Sequence, residues 1–542
     1  MPSTTSRRSA ERGAADWPLR AAIALAMLAL FAASVWVRLP NMGRPLGEGH
    51  EWLTSTVARN LEIWERDGAL KHRFLPIFTY PGAANRYINN QGSDHMDAQG
   101  NYYYTSYGPF AYIAPYLALK ALGQPVTVIG IQRFNLAVHL ATAVLLFLVV
   151  VEVTRPRRPV EYAPALFAYA LYTFTTATLW LHSNVYMSDM FVQPLWVLCI
   201  LLVFRYADAP GVGWRKPAAI AAAIALAVWT EWLGVFFAAT LAGYAVAHWR
   251  RKAVRRLFAA SIAGGIGGVA LYVGHYSLID GLAGLWKASY AKYAIRSGVS
   301  ATSNFPIDNP ISWQRIGWHY TGFGYGPVLL LAVALLCVIG FAAYRATDAS
   351  SRPVGLARRA RLALVLAAAP VLLHHLVFFD FTAVHFFSVL KAAVVLALAA
   401  GIGASCIIAW LQTRAPAHSA TLFASALAVG MIAIAAAQVA NYRSIAEETR
   451  FDAYERLGEI IATEAAPDET VFLRAGDFAG FEPWQGAMTG PQVVYYAHRN
   501  FASWSTTEAA YALMERQGTR KGMTVGLDPG TGNVRVQHFL RQ

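Results

Sequence analysis

Between Gly47 and Trp64 the chain reads GEGHEWLTSTVARNLEIW, which sets Glu48, His50 and Glu51 within four residues of one another. A carboxylate in the first turn of a helix is favoured in its ionised form by the helix dipole. A second acid nearby opposes that charge and makes one of the two easier to protonate. Facing a semi-enclosed groove, such a carboxylate suits a general base acting on an acceptor hydroxyl. Acidic residues also occupy first helical turns for dipole and solvation reasons alone. In the helix starting near His50, one face carries Leu53, Val57, Leu61 and Trp64, and another carries Glu51, Ser55, Arg59, Glu62 and Arg66. The helix is therefore expected to lie along a membrane surface with Glu51 turned from the lipid.

Other residues admit two readings each. Asp189 in NVYMSDMF is a binding carboxylate or a helix cap with Ser188. Lys292 and Arg296, four apart, clamp a lipid phosphate or anchor their helix to anionic headgroups. Tyr107, with Tyr102–Tyr104 and Tyr112, stacks on a sugar or belongs to an interfacial aromatic belt. His374, His375, Asp380 and His385 gather at the outer ends of two apolar runs and read as pocket lining. Asp94, His95 and Asp97 in GSDHMDAQGN are weak candidates for a divalent cation, against the simpler reading of Asp97-Ala-Gln-Gly100 as a turn.

The elements that position these residues follow from composition. Of 542 residues 56% are hydrophobic and 14% charged, with mean hydropathy +0.37. A soluble chain carries about 25% charged residues. Repeated apolar runs of about 20 residues, long enough to cross roughly 30 Å of hydrocarbon, make this a polytopic α-helical membrane protein. The net charge of +14 is not a nucleic-acid signature, because Arg and Lys fall in short clusters between the apolar runs. Cys199, Cys337 and Cys406 all fall within apolar runs and offer no loop disulfide or metal pair.

The run 21–37, preceded by Arg7, Arg8, Arg12 and Arg20 and followed by Arg38-Leu39-Pro40, reads as a retained first span starting in the cytoplasm. Residues 108–122 are apolar but short and interrupted by Pro109 and Pro115, hence interfacial or re-entrant. Further spans are expected over 128–153, 162–180, 190–204, 218–249 as a hairpin, 257–272, 328–341, 362–378, 386–411 and 422–439. About eleven crossings then place every major basic cluster on one side, with the N-terminus inside and the C-terminus outside. Two long outer loops result, 38–127 and 275–326. In the second, Trp286, Tyr290 and Tyr293 mark an amphipathic interfacial helix. Residues 1–440 form the transmembrane domain, and 441–542 a small extracytoplasmic α/β domain. Its expected elements are helices 444–465 and 507–517 and strands 470–474, 493–496, 523–527 and 534–539.

The chain resembles the GT-C superfamily of membrane glycosyltransferases, particularly the branch similar to protein O-mannosyltransferases and aminoarabinose transferases. That branch has a first-loop pattern like D-E-x-x-Y-x-x-x-A-R. Here His50-Glu51 takes the place of the acidic pair and Ala58-Arg59 follows at the matching distance, while Thr54 replaces the aromatic residue. TSYGPFAYIAPYLALKALG resembles the K-P-P-L segment without its lysine, and IQRFNLAVHLATA resembles the A-x-R-L start of the next span through Arg133. Asp189 stands where the family has an acid between the third and fourth spans, and Glu231 in WTEWLG stands where it commonly has a lysine.

The resemblance implies a GT-C-like fold of about eleven transmembrane helices. It implies an enzyme that takes a sugar from a polyprenyl-phosphate donor and passes it, with inversion by analogy with the family, to an extracytoplasmic acceptor: envelope glycan, lipid or protein. Glu51 becomes the base, with Glu48 standing in for the missing acid. Asp189, Lys292, Arg296, Tyr107, His385 and Arg133 become substrate-binding candidates. Membrane lipids and the acceptor are the expected partners, nucleic acid is not, and no particular cofactor is indicated, with a divalent metal left open. The location is a bacterial-type cytoplasmic membrane. The alternatives are a transporter or flippase of lipid-linked sugars and a non-catalytic subunit of an envelope assembly. The acidic cluster lies in a loop rather than at mid-membrane and no internal repeat is visible, which favours transfer over transport.

Overall fold

The computed structural model describes residues 17–90, 95–208, 213–300, 303–347, 355–416, 418–478, 490–528 and 530–541. Its first helix, α1 (Trp17–Arg38), leads into the outer loop, where α2 (Trp52–Asp67) and α3 (Phe110–Ala121) form. A long bundle follows: α4 (Val128–Thr154), α5 (Ala163–Phe174), α6 (Thr176–Leu181), α7 (Ser188–Asp208), α8 (Arg215–Thr230), α9 (Leu233–Ala247) and α10 (Lys252–Ser297). After the short α11 (Pro310–Trp318) come α12 (Gly326–Ala346), α13 (Leu356–Val377), α14 (Phe379–Val384), α15 (Leu390–Arg414) and α16 (Ser419–Glu448).

Among the described residues, eight helices are long and apolar enough to cross a bilayer. The other expected crossings differ in build. Segment 162–180 is two helices broken at Thr175, whose hydroxyl caps α6 by accepting from the Thr178 amide. Segment 218–249 is the hairpin of α8 and α9 turning at Glu231. Helix α3, with 12 residues, reaches only about 18 Å at 1.5 Å per residue, too short to span. Helices approach closely where small residues meet. A Cβ on Gly340 of α12 would lie 2.6 Å from the carbonyl oxygen of Gly403 on α15, so the pair holds those helices at backbone contact.

Helix α10 continues past its expected end to Ser297 through a kink at Asp280 and Gly281, where Gly281 takes φ 86°. Its second limb carries Trp286, Tyr290 and Tyr293, which are 74%, 61% and 45% exposed, in keeping with the expected interfacial face.

Helix α2 departs from expectation. Both faces are buried over its first three turns, including Ser55, Thr56, Arg59 and Asn60, while Glu65 and Arg66 near its end are exposed. Arg59 lies over the Phe78 ring at 4.4 Å, and burial lowers its pKa to about 10. The helix is covered by the last part of the chain rather than lying open at a surface.

That part contains α17 (Ala453–Glu464), α18 (Ala475–Phe478), α19 (Pro491–Tyr496) and α20 (Thr507–Gln517), with strands β3 (Glu469–Leu473), β4 (Phe501–Ser503), β5 (Lys521–Leu527) and β6 (Val534–Leu540). Two short strands, β1 (His95–Met96) and β2 (Tyr102–Tyr103), pair in the first loop. The four-stranded sheet has the order β4-β3-β5-β6, with β3 parallel to both neighbours and β6 antiparallel. Two expectations fail here. The helix expected over 444–465 is the end of α16 and then α17, separated by a turn at 449–452. The strand expected over 493–496 is α19, because Pro491 presets the first helical turn and Val493 and Val494 are buried. Thr506 caps α20, accepting from the Ala509 amide.

Candidate active site

The turn before α2 is tied to the end of α16. A Cβ on Gly47 would lie 2.2 Å from the Thr449 carbonyl oxygen, so only glycine allows the contact. Within this turn the Glu51 carboxylate is fully buried. It accepts from Arg44 Nη2 at 3.0 Å, Asn184 Nδ2 at 2.8 Å and the Gly47 amide. Arg44 also donates to Thr449 Oγ1 at 3.0 Å and to the Ala446 carbonyl. Burial pushes the Glu51 pKa up, while Arg44 and then the Gly47 amide pull it back. Glu51 is thus enclosed by donors from its own loop and from the turn before α7. Glu48 is exposed and accepts the hydroxyl of Tyr454.

His50 faces elsewhere. Its backbone has φ 68°, rare outside glycine. Its ring packs edge-on to Phe386 and Phe387 at centroid distances of 4.3 and 5.2 Å. Nε2 of His50 lies 3.1 Å from Nδ1 of His385. Burial, reinforced by His319 and Arg315, lowers the His50 pKa to about 3, so the ring is neutral.

Two cavities adjoin the second limb of α10. The first, about 430 Å³, is almost wholly apolar, with walls from Trp232, Tyr272, Trp286, Tyr290, Tyr293 and Phe378. The second, about 220 Å³, is more polar and includes Trp52, Tyr104, Asn304, Asp380 and His385. Ser106, Lys292 and Arg296 line both. The Arg296 guanidinium lies 4.8 Å from the Tyr107 ring and 5.1 Å from that of Phe381. These contacts fix its position, and Nη1 also donates to the Ser106 carbonyl at 3.5 Å. Ser106 Oγ and the Tyr107 hydroxyl are buried and have no hydrogen-bond partner among the described residues.

A buried charge cluster joins three helices of the bundle and the turn between α8 and α9. Lys391, near the start of α15, bonds to Asp189 in the first turn of α7 and lies 3.8 Å from Glu231 Oε1. His374 of α13 approaches the same Glu231 oxygen at 2.9 Å. Lys391 was not singled out from sequence. The available signal was a lone lysine in the apolar run FFSVLKAAVV.

Of the expected binding residues, Lys292, Arg296 and His385 line the cavities, and Tyr107 sits beneath Arg296. Asp189 is engaged with Lys391 instead. Arg133 lines neither cavity. It is exposed near the start of α4 and donates to Gln124 Oε1 at 3.3 Å, because α4 turns it to the outer surface. Asp94 lies outside the described residues. His95 Nε2 lies 3.4 Å from Asp280 Oδ1. Asp97 accepts from the Gln99 and Asn101 amides, Asn101 Nδ2 and the Tyr103 hydroxyl, the bonding of a turn residue. Among the described residues, no three His, Cys, Asp or Glu side chains are grouped to hold a metal ion.

No protein-family model and no curated protein matches this sequence. Solved structures do match. ArnT from Cupriavidus metallidurans in the apo state aligns with a TM-score of 0.50 and 13% identity over 96% of this chain and 94% of that one. The archaeal oligosaccharyltransferase AglB from Archaeoglobus fulgidus, in complex with an inhibitory peptide and a dolichol-phosphate, aligns with a TM-score of 0.53 and 10% identity over 93% of this chain and 69% of that one. The chain has the GT-C fold. ArnT from Cupriavidus metallidurans bound to undecaprenyl phosphate is similar to it as well, with a TM-score of 0.50 and 13% identity over 93% of each chain. At these identities the likeness is one of architecture, and with the apolar helices it makes this chain a multi-pass membrane protein of that fold.

Proposed function

We propose that this protein is a glycosyltransferase that moves a sugar from a polyprenyl-phosphate carrier to an acceptor on the outer side of a bacterial-type cytoplasmic membrane. The observation that carries the reading is the pair of cavities meeting at Lys292 and Arg296. An apolar chamber fits an isoprenoid chain, the two cations fit its phosphate, and the polar chamber beyond them fits the sugar and the acceptor hydroxyl. The buried Ser106 and Tyr107 hydroxyls lie beside the same cations and offer further donors to phosphate oxygens. Similar structures holding undecaprenyl phosphate and dolichol-phosphate support a carrier of that class.

Attack from the acceptor chamber, opposite a phosphate held by α10, inverts the anomeric carbon. Positive charge at Lys292 and Arg296 stabilises the departing phosphate. Residues 1–440 are taken as the transmembrane domain with about eleven crossings, and 441–542 as the extracytoplasmic domain. The contact of that region with the first outer loop, through Gln492 Nε2 to the Gly47 carbonyl at 2.9 Å, supports placing both on one side.

The test is purified protein in nanodiscs with undecaprenyl-phosphoryl-[14C]mannose and a panel of other undecaprenyl-phosphate hexoses and pentoses. Outer-envelope extract serves as acceptor. Release of undecaprenyl phosphate with transfer of label is expected. Movement of intact labelled lipid between leaflets without its cleavage would favour the flippase reading.

A further inference from the structure

We infer that His385 is the catalytic base of the transfer and that His50 is its positioning partner. The inference rests on the proposed glycosyl transfer and assigns its proton acceptor to residues other than the first-loop carboxylate.

A base has to reach the acceptor hydroxyl where the anomeric carbon sits, next to the phosphate-binding cations. Glu51 lines neither cavity, and its two oxygens are occupied by Arg44, Asn184 and the Gly47 amide. Asp189 and Glu231 are buried around Lys391. Asp380 lines the polar cavity, but its Oδ1 accepts the Phe305 amide at 2.6 Å and so fastens the loop before α11. His385 is half-buried, lines that cavity with Lys292 and Arg296, and bonds through Nδ1 to another neutral ring.

The His50–His385 bond has two tautomeric forms. If His385 Nδ1 carries the proton and donates to His50 Nε2, then His385 Nε2 presents a lone pair for the acceptor proton. In the other form Nε2 of His385 carries hydrogen and cannot accept. His50 with its proton on Nδ1 selects the productive form and then shares the charge that develops on His385, the service a buried carboxylate performs for a catalytic histidine. The unusual backbone at His50, with φ 68°, directs its ring into the Phe386–Phe387 wall against His385.

The charged and titratable groups facing His385 are His50 from the first loop, Lys292 and Arg296 from α10, Arg315 from α11, His319 after it and Asp380 from α14. Burial first, then His50, Arg296, His319 and Arg315, hold the His385 pKa well below the usual imidazole value, so the resting side chain is unprotonated. A phosphate bound at Lys292 and Arg296 offsets those cations and raises the affinity of His385 for a proton. The base gains strength when the donor is in place.

In the step itself, the acceptor O–H proton moves to His385 Nε2 as the acceptor oxygen bonds to the anomeric carbon. The bond from that carbon to the phosphate oxygen breaks, and its electron pair leaves on the polyprenyl phosphate. The proton on His385 passes to solvent or to the released phosphate.

The experiment compares wild type with His385→Gln, His50→Gln, His50→Asp, Glu51→Gln and Asp380→Asn in the labelled undecaprenyl-phosphate sugar assay. Undecaprenyl phosphate binding by thermal shift reports folding and an intact donor site. For His385→Gln, kcat should fall by roughly 10²–10⁴-fold with undecaprenyl phosphate binding retained. For His50→Gln, kcat should fall with KM unchanged and the acid limb of the pH–kcat profile should move, while His50→Asp should restore kcat in part. In wild type the acid limb should lie at higher pH for kcat than for kcat/KM. Full kcat in His385→Gln, or a loss confined to Glu51→Gln or Asp380→Asn, overturns the assignment while leaving sugar transfer intact. Absence of turnover of every donor by wild type overturns the transfer reading and this inference together.

Discussion

Lys391 is the residue whose removal should be felt most strongly outside the reaction chamber. It is fully buried, bonded to Asp189 and 3.8 Å from Glu231, and Lys391→Met keeps its length while deleting its charge. Two enclosed carboxylates would then face one another across a low-dielectric bundle, with Arg296 the next cation. Breaking a buried pair by removing one partner costs about 3–5 kcal/mol, most of it the stranded charge. For a chain of 542 residues, an unfolding entropy of roughly 2 cal/mol/K per residue converts this into a fall of at least ~3–5 °C in Tm, and more where helices survive unfolding. A thiol-reactive dye in detergent reads the transition, because buried Cys199 and Cys406 become reactive as the bundle opens. Adding Asp189→Asn to Lys391→Met should recover a large part of the loss, since it removes one stranded charge. A Lys391→Met protein within 1 °C of the parent (a tolerance of about 1 kcal/mol on the same scale), or a double variant as damaged as the sum of its parts, would refute the charge-compensation argument.

Lys292→Ala and Arg296→Ala should each weaken undecaprenyl phosphate binding by about 10- to 150-fold, the equivalent of about 1.5–3 kcal/mol for a charged hydrogen bond, measured by titrated thermal shift. Asn500 Oδ1 accepts the Tyr80 amide at 2.9 Å and its Nδ2 donates to the Phe78 carbonyl at 3.0 Å. Asn500→Ala leaves both buried groups unpaired at about 1–3 kcal/mol each, so hydrogen exchange at the Tyr80 amide should accelerate. His50, with a pKa lowered from 6.5 to about 3, binds its proton more weakly folded than unfolded. Its contribution to stability is complete above pH 6.5 and is lost as pH falls toward about 3. His50→Gln should therefore flatten the fall in Tm between pH 7 and 4, values chosen roughly to straddle that window.

How much of this was legible in the sequence depended on the range of the cause. The bilayer dictates the length of apolar runs, so the long helices stand close to where hydropathy puts them, and the helix of α10 beyond its kink keeps the exposed aromatic face its period announces. Strands β3, β5 and β6 were legible for the same local reason. Segment 493–496 was not, because β-forming Val and Tyr residues are overridden by Pro491 and by burial of Val493 and Val494 beside the first outer loop. That burial also explains the misreading of α2. Its polar face looks solvated in one dimension, yet a partner more than 400 residues away covers it, as the 445-residue separation of Gln492 and Gly47 illustrates.

The site follows the same rule with larger consequences. Lys292 and Arg296 were readable because both stand on one helical face. Arg44 is only seven residues from Glu51, but nothing local says that the turn at Gly47 folds the two together and encloses the carboxylate. Lys391 finds Asp189 across 202 residues, and His50 finds His385 across 335. A motif names residue types, whereas access decides which of them can touch a substrate. Here the acid kept by the motif is enclosed, and the position where the motif loses its acid opens, through His385, onto the polar chamber. Of the titratable groups lining that chamber, Lys292 and Arg296 are cations and Asp380 is bonded to the Phe305 amide, which leaves His385 as the proposed proton acceptor and makes the departure at His50 the change that accompanies it.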